Sequence, residues 1–212
     1  MITSSIVAVD GTAASGKGTL ASRIAQHLNF AYLDTGILYR AVGYSVIKNG
    51  HKFDTQTAAI DAARELKIEN LKNIDLRSEE IGRAASIAAS IPLVRKTLIA
   101  FQKKFASAPP NEKLGAVLDG RDIGTVICPD ADWKIYVDAD ICVRARRRVK
   151  ELRERGVDAI YSRILRNMRE RDTRDMSRSI SPLAPAKDAF VLDTTFLDAD
   201  SAFAIALDYI SS

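Results

Sequence analysis

The residues Gly11-Thr12-Ala13-Ala14-Ser15-Gly16-Lys17, followed by Gly18 and Thr19, stand directly after a short apolar run, Ile6-Val7-Ala8-Val9. A buried strand that ends in such a turn and leads into a helix aims several backbone N–H groups at one point, and the helix dipole adds positive potential there. The pattern therefore demands a strand–loop–helix unit that cradles phosphate. A nucleoside triphosphate, ATP, is the expected guest, with Gly11, Thr12, Ala13, Ala14, Ser15, Gly16, Lys17, Gly18 and Thr19 as its binding residues. A glycine-rich turn can also serve packing alone, but the strand before it and the apolar helix face after it (Leu20, Ile24, Leu28) favour the phosphate reading. Gly18 occupies the place where Ser or Thr normally supplies a magnesium ligand, with the hydroxyl displaced to Thr19. This favours a kinase whose Mg2+ is held largely through water and nucleotide oxygens, with no dedicated protein metal ligand, over a GTPase-like switch.

Four further apolar stretches end, like the first (Ile6 to Asp10), in a carboxylate: Phe30 to Asp34, Ala116 to Asp119, Trp133 to Asp138 and Phe190 to Asp193. Helical patterns separate them, at Lys17 to Leu28, Ile37 to Lys48, Ser78 to Ser90, Leu93 to Ala106, Ile141 to Arg155, Ala159 to Met176 and Ala199 to Ile210. Such alternation predicts an α/β, three-layer fold of the P-loop NTPase type: a parallel five-stranded sheet with helices on both faces and ligands at the carboxyl ends of the strands. The 212 residues suit one domain, with its core at 1–35, 109–143 and 179–212. Residues 36–108 read as a helical insertion beside the nucleotide crevice, and residues 144–178, broken at Gly156, as an arginine-rich lid. Asn49-Gly50 closes the insertion's first helix and Pro92 opens another.

The net charge of +4 is unevenly spread. Between Arg144 and Arg178 lie twelve arginines and one lysine against six acids, so this segment carries +7 and the rest of the chain −3. Arginine suits bidentate contact with phosphate oxygens. About half of these residues are expected to form an ordinary solvated helix face, with pairs such as Glu151 and Arg155. Cys128 and Cys142 show no metal-ligand spacing and are expected to remain reduced in the interior, while His27 and His51 read as surface residues. No stretch approaches the length needed to cross a bilayer, so a cytoplasmic protein without membrane contact is expected.

Four more motifs accompany the loop: Asp34-Thr35-Gly36 followed by Tyr39-Arg40; Ala84-Ala85-Ser86 with Pro92 and Val94-Arg95; Asp119-Gly120-Arg121-Asp122-Ile123-Gly124-Thr125; and Arg171-Asp172-Thr173-Arg174-Asp175 with Arg178. With the loop, this set closely resembles the bacterial cytidylate kinases, from Val7 to Thr194, and the Asp-Gly-Arg-Asp-Ile-Gly-Thr segment is its most specific element. The resemblance implies transfer of the γ-phosphoryl of ATP to CMP or dCMP, with magnesium, within a nucleoside monophosphate kinase fold. It places Lys17 on the transferring phosphates and Thr35, Tyr39 and Arg40 along the monophosphate pocket. Ser86, Arg95 and Asp122 match positions that read the cytosine edge, Arg121 and Arg178 match phosphate-binding arginines, and Arg171 and Asp175 match the pair at the sugar. Lys17, Arg121, Arg171 and Arg178 are the implied catalytic set.

Two departures stand out. Ala14 replaces a glycine of many relatives, a mild change for backbone at negative φ. The stretch from Glu69 to Ser78 is short where relatives often carry a β-hairpin.

Chemistry agrees with the resemblance. An acceptor that is itself a phosphate, with a second pKa of about 6, already offers an anionic oxygen, so no catalytic His or Cys is required. Alignment of two charged nucleotides and neutralisation of charge on the moving group are what remain, and a lid that keeps out water is expected. Another nucleoside monophosphate kinase, such as adenylate kinase, stays open as an alternative. So does an arginine-rich nucleic-acid-binding P-loop protein, although the interleaved acids and the single aromatic, Tyr161, within the +7 segment speak against it. ATP and CMP or dCMP are thus the expected partners of a monomer, with no nucleic acid.

Overall fold

A computed structural model of the chain describes residues 4–52, 55–66, 76 and 78–212. Five parallel strands form its centre: β1 (Ser5–Gly11), β2 (Ala31–Asp34), β3 (Gly115–Gly120), β4 (Trp133–Asp138) and β5 (Phe190–Asp193), in the order β2-β3-β1-β4-β5. The strand carrying the glycine-rich loop is therefore the middle one, paired with β3 and β4. Side chains alternate across the sheet. Val7 and Val9 point to one face, where they pack with Ile24 and Ala21 of α1 (Lys17–Leu28) and Ala206 of the C-terminal α8 (Ala199–Ser211). Ala8 points to the other, with Leu33, Leu118, Ile123 and Ala106. The result is the expected three-layer α/β arrangement.

Between β2 and β3 run four helices, α2 (Gly36–Lys48), α3 (Gln56–Arg64), α4 (Glu79–Ala88) and α5 (Pro92–Ser107). Gly50, at φ 74°, ends α2 by donating its N–H to the Ile47 carbonyl, and Pro92 occupies the opening turn of α5, where its missing N–H costs nothing. Their own apolar cluster, including Leu38, Val42, Ala59, Val94 and Leu98, binds these helices together. The α2–α4 approach is close: a methyl group at Gly43 would lie 2.8 Å from Ala84 Cβ and 3.0 Å from the Ala85 nitrogen. The expected helices did not include α3, and the short 69–78 stretch lies mostly outside the described residues.

After β4 come α6 (Ile141–Glu154) and α7 (Tyr161–Ser177), joined through Gly156 at φ 73° and packed through Ala145, Val149, Leu152, Ile164 and Met168. Asp140 caps α6 by accepting the Cys142 and Val143 amides. Arg144 is not part of a detached arm. It donates to the Ala139 carbonyl, to the Ala13 carbonyl of the loop and to Asp172 of α7, so the base of α6 is bound to the core. Cys128 is buried as expected, whereas Cys142 is only half-buried, because the first turn of α6 faces the rim of the molecule. Among the described residues, no single helix is long and apolar enough to cross a membrane.

Candidate active site

At the carboxyl ends of β1, β2 and β3 opens a cavity of about 1080 Å³, at the upper end of small-molecule sites and roomy enough for more than one modest ligand. Its floor is the glycine-rich loop. Gly11 is confined to glycine twice over, by φ 148° and by the Val137 carbonyl oxygen, which would sit 1.9 Å from any Cβ. Thr12 Oγ1 donates to Asp138 at 2.6 Å, Ser15 Oγ donates to the Thr12 carbonyl, and Thr194 Oγ1 donates to the Ser15 carbonyl. The loop hydroxyls thus fix the loop's own shape and leave its amides for a ligand. Gly16, at φ 92°, passes the chain into α1, whose first residue is Lys17.

Ala14 does not have the negative φ that would make its replacement of glycine mild. It is left-handed at φ 59°, a conformation that costs an alanine about 1–2 kcal/mol. Its methyl packs against the α6–α7 cluster, which offsets part of that strain. Thr19, one position past Gly18 on α1, faces solvent, and of the nine loop residues Ala13, Ala14, Lys17 and Gly18 line the cavity.

Lys17 Nζ lies 3.5 Å from Asp119. Burial and the neighbouring Arg121 lower its pKa, while Asp119 and Asp34 oppose them. Burial raises the pKa of Asp119 in turn, against the pull of Lys17.

All ten residues expected at the acceptor line the same cavity: Thr35, Tyr39, Arg40, Ser86, Arg95, Arg121, Asp122, Arg171, Asp175 and Arg178. Helices α2, α4, α5 and α7 and the carboxyl ends of β2 and β3 deliver them. Thr35 follows β2 and spends its hydroxyl proton on the Asp119 carbonyl at 2.7 Å. From α2, Tyr39 lies beneath the Arg95 guanidinium, 5.7 Å from ring centroid to charge centre, and Arg40 donates to the Leu76 carbonyl at 2.8 Å. Arg95, on α5, is ion-paired with Asp122, both almost fully buried.

Asp175, on α7, is the hub of the wall. It accepts from Ser86 Oγ at 3.1 Å and from Arg121 Nε at 3.3 Å, and Arg171 Nε approaches to 3.7 Å. Burial opposes its charge, but Arg171, Arg121 and Arg178 outweigh burial and hold its pKa below the usual carboxylate range.

The cations are crowded in return. Burial first and Arg121 second push Arg171 down to about 10, and burial likewise lowers Arg40 and Arg178. Among the described residues, Arg95 Nε, Arg171 Nε and Arg178 Nη2 are buried donors with no hydrogen-bond partner. Orphaned donors of this kind are rare in folded proteins, and three on one cavity mark a place for oxygen acceptors.

Sequence reasoning had assigned no site role to Arg148, Arg174 or Glu79, all of which line the cavity. Arg174 Nη1 donates to Ser86 Oγ at 2.8 Å, and Arg148 Nε donates to Glu79 at 2.8 Å while pairing with Glu151. Glu151 thus lies beside Arg148, the residue one turn before it. The arginine surplus of 144–178 was the one signal that could have found these two arginines. Six of its twelve arginines are exposed, close to the expected half.

Asp34, half-buried on the cavity beside Lys17, is one carboxylate that would hold a magnesium ion carried in with nucleotide. A single carboxylate fits Mg2+, which retains several waters and substrate oxygens.

Comparison with known proteins agrees with this geometry. The family model described as cytidylate kinase matches residues 7–212. A cytidylate kinase of Paramagnetospirillum magneticum is 55% identical over 209 residues, covering 99% of each chain, and one of Rhodospirillum rubrum is 52% identical over 206 residues, covering 97% of each. In fold alone, a shikimate kinase of Bacteroides thetaiotaomicron is similar with a TM-score of 0.52 at 10% identity, covering 98% of this chain and 99% of that one. A match of this extent, spanning the loop, the Asp119–Thr125 segment and the arginine cluster alike, means that the chain belongs to the cytidylate kinase family.

Proposed function

We propose that this protein transfers the γ-phosphoryl group of ATP directly to CMP or dCMP, giving CDP or dCDP and ADP. The observation that carries the reading is the convergence of Lys17, Arg40, Arg121, Arg171 and Arg178 on one cavity floored by the glycine-rich loop. In it the loop amides and Lys17 hold the donor phosphates. Arg40, Arg121 and Arg178 hold the acceptor phosphate and, with Arg171, neutralise charge on the group in transit. The acceptor oxygen attacks phosphorus as the bond to the ADP oxygen breaks. No side chain needs to remove a proton from a phosphate dianion.

Ser86, Arg95 and Asp122 supply the mixture of donors and acceptors that a cytosine edge requires, and Arg171 with Asp175 faces the sugar. Magnesium, when bound with ATP near Asp34, offsets phosphate charge. The crowding of guanidinium groups supports this assignment, because two anionic nucleotides offset the burial, and the repulsion from Arg121, that lower Arg171. We take the protein to act as a monomer in the cytoplasm.

Steady-state assays across CMP, dCMP, UMP and AMP test the reading. CMP and dCMP are expected to have the highest kcat/KM. A preference for AMP would overturn the acceptor assignment and leave the fold untouched.

A further inference from the structure

Asp10 is the one deeply buried carboxylate at the head of the loop that the proposed chemistry does not use. It is the penultimate residue of β1, directly before Gly11, with 5% of its surface exposed. Its two oxygens reach across the sheet: Oδ1 accepts the Ile123 amide and Oδ2 the Gly124 amide, each at 2.8 Å. Those amides open the π-helical turn Ile123–Ile127, where no helical carbonyl precedes them to accept a bond. The two residues immediately before them are Arg121 and Asp122. At Gly124 a Cβ would stand 3.3 Å from Lys134 Cδ and 3.5 Å from Asp10 Oδ2, so glycine keeps this approach open.

A carboxylate is costly here, and its shape explains why it is present. Two amide donors need two acceptor oxygens side by side. Asparagine, of equal size and without charge, offers only one, and its NH2 group would face an N–H.

We propose that Asp10 is a positioning residue for the acceptor: by gripping the Ile123 and Gly124 amides it ties the strand of the donor loop to the segment presenting Arg121 and Asp122, and so sets the spacing between the two nucleotides. The proposal rests on the acceptor role of Arg121 and Asp122 given above.

The grip depends on pH. Burial raises Asp10 to about 7, with Asp122 and Asp119 adding to the effect and the two amides opposing it. The other titratable or charged groups facing this region are Cys128, whose thiol burial pushes to about 11, Tyr136, pushed to about 12, and Lys134, ion-paired to Asp188 at 2.6 Å. Below about 7 a proton occupies one Asp10 oxygen, one amide loses its acceptor, and the acceptor segment loosens. Fold stability runs the opposite way. An acid whose pKa is raised on folding favours the protonated fold, and that contribution is lost as pH rises through about 7.

The test is the ratio of kcat/KM for CMP between the wild-type protein and Asp10→Asn, followed from pH 6 to pH 8. Ionisation of CMP itself cancels in this ratio. The ratio is expected to rise from near unity at the acid end to about ten-fold or more at the basic end, carried by KM for CMP, with KM for ATP changed less than about two-fold. A ratio near unity across the whole range, or equal losses for both nucleotides, would overturn the proposal. If the variant fails to fold, amide exchange at Ile123 and Gly124 in the wild type, corrected for intrinsic rates, must show weaker protection at pH 6 than at pH 8; equal protection overturns it. Asp122→Ala separates the two claims. Unimpaired CMP use there overturns both, whereas an impaired Asp122→Ala beside an unimpaired Asp10→Asn defeats this proposal alone.

Discussion

The loop after β1 and the arginine wall facing it are built to meet the same chemistry, a phosphate chain, by opposite means. The loop offers backbone amides, and its hydroxyls are spent on protein groups: Thr12 donates to Asp138 and Ser15 to the Thr12 carbonyl, while Thr194, just past β5, donates to the Ser15 carbonyl. The wall offers side chains, and these are held in place by counter-carboxylates, Asp122 for Arg95 and Asp175 for Arg121 and Arg171. Amides in a fixed turn cost nothing to reorganise and are indifferent to what the phosphate is attached to. Guanidinium groups are costly to bury and repel one another, as the lowered Arg171 records, but they come with carboxylates and hydroxyls, the proposed readers of the base. The loop therefore suits a general donor and the wall a selected acceptor.

The largest effect expected from breaking this division is at Lys17, the one cation the loop contributes. Lys17→Ala is expected to remain folded and to lose about 10²–10³-fold in kcat, read from steady-state rates beside a thermal melt. Normal turnover would mean that the amides alone suffice. Next comes the buried Arg95–Asp122 pair. Arg95→Ala leaves a buried carboxylate without its partner and is expected to cost about 3–5 kcal/mol in a denaturant titration, in addition to weakening CMP. Arg95→Met combined with Asp122→Leu is expected to recover stability but not CMP use. Recovery of both would show that the pair is scaffolding and not part of base recognition. The smallest effect is on the loop side. At Ala14→Gly, relief of left-handed strain and loss of methyl packing oppose each other, so a net change of about 0.5 kcal/mol or less is expected, with KM for ATP unaltered. A large change of either sign would show that one of the two terms had been misjudged.

How far the sequence could be read follows the same division. The strands were legible because each is a short apolar run ending in a carboxylate, and the loop because its glycines and lysine have a fixed local spacing. The cavity's main residues were legible through motifs. What escaped depends on contacts between distant positions. Asp10 looked like one strand-ending carboxylate among five until its oxygens were found on amides 113 and 114 residues away. Arg148 could not be told from its exposed neighbours on α6 without Glu79, 69 residues earlier. Helix α3 carries no hydrogen-bonding cap at Thr55 and is only nine residues long, so it left little local signal. The Ala14 backbone is left-handed because the turn around it demands that geometry and α6–α7 offers its methyl a seat, neither of which is written in the residue itself.

The contact at Gly43 has a consequence for how the acceptor is measured. Tyr39 and Arg40 ride on α2 and Ser86 rides on α4, and these two helices touch nearly backbone to backbone, with no long side chain between them to flex. Those residues are therefore fixed marks on a single ruler. A larger residue at position 43 would lengthen the ruler itself, altering which nucleotide fits without touching any atom that meets it.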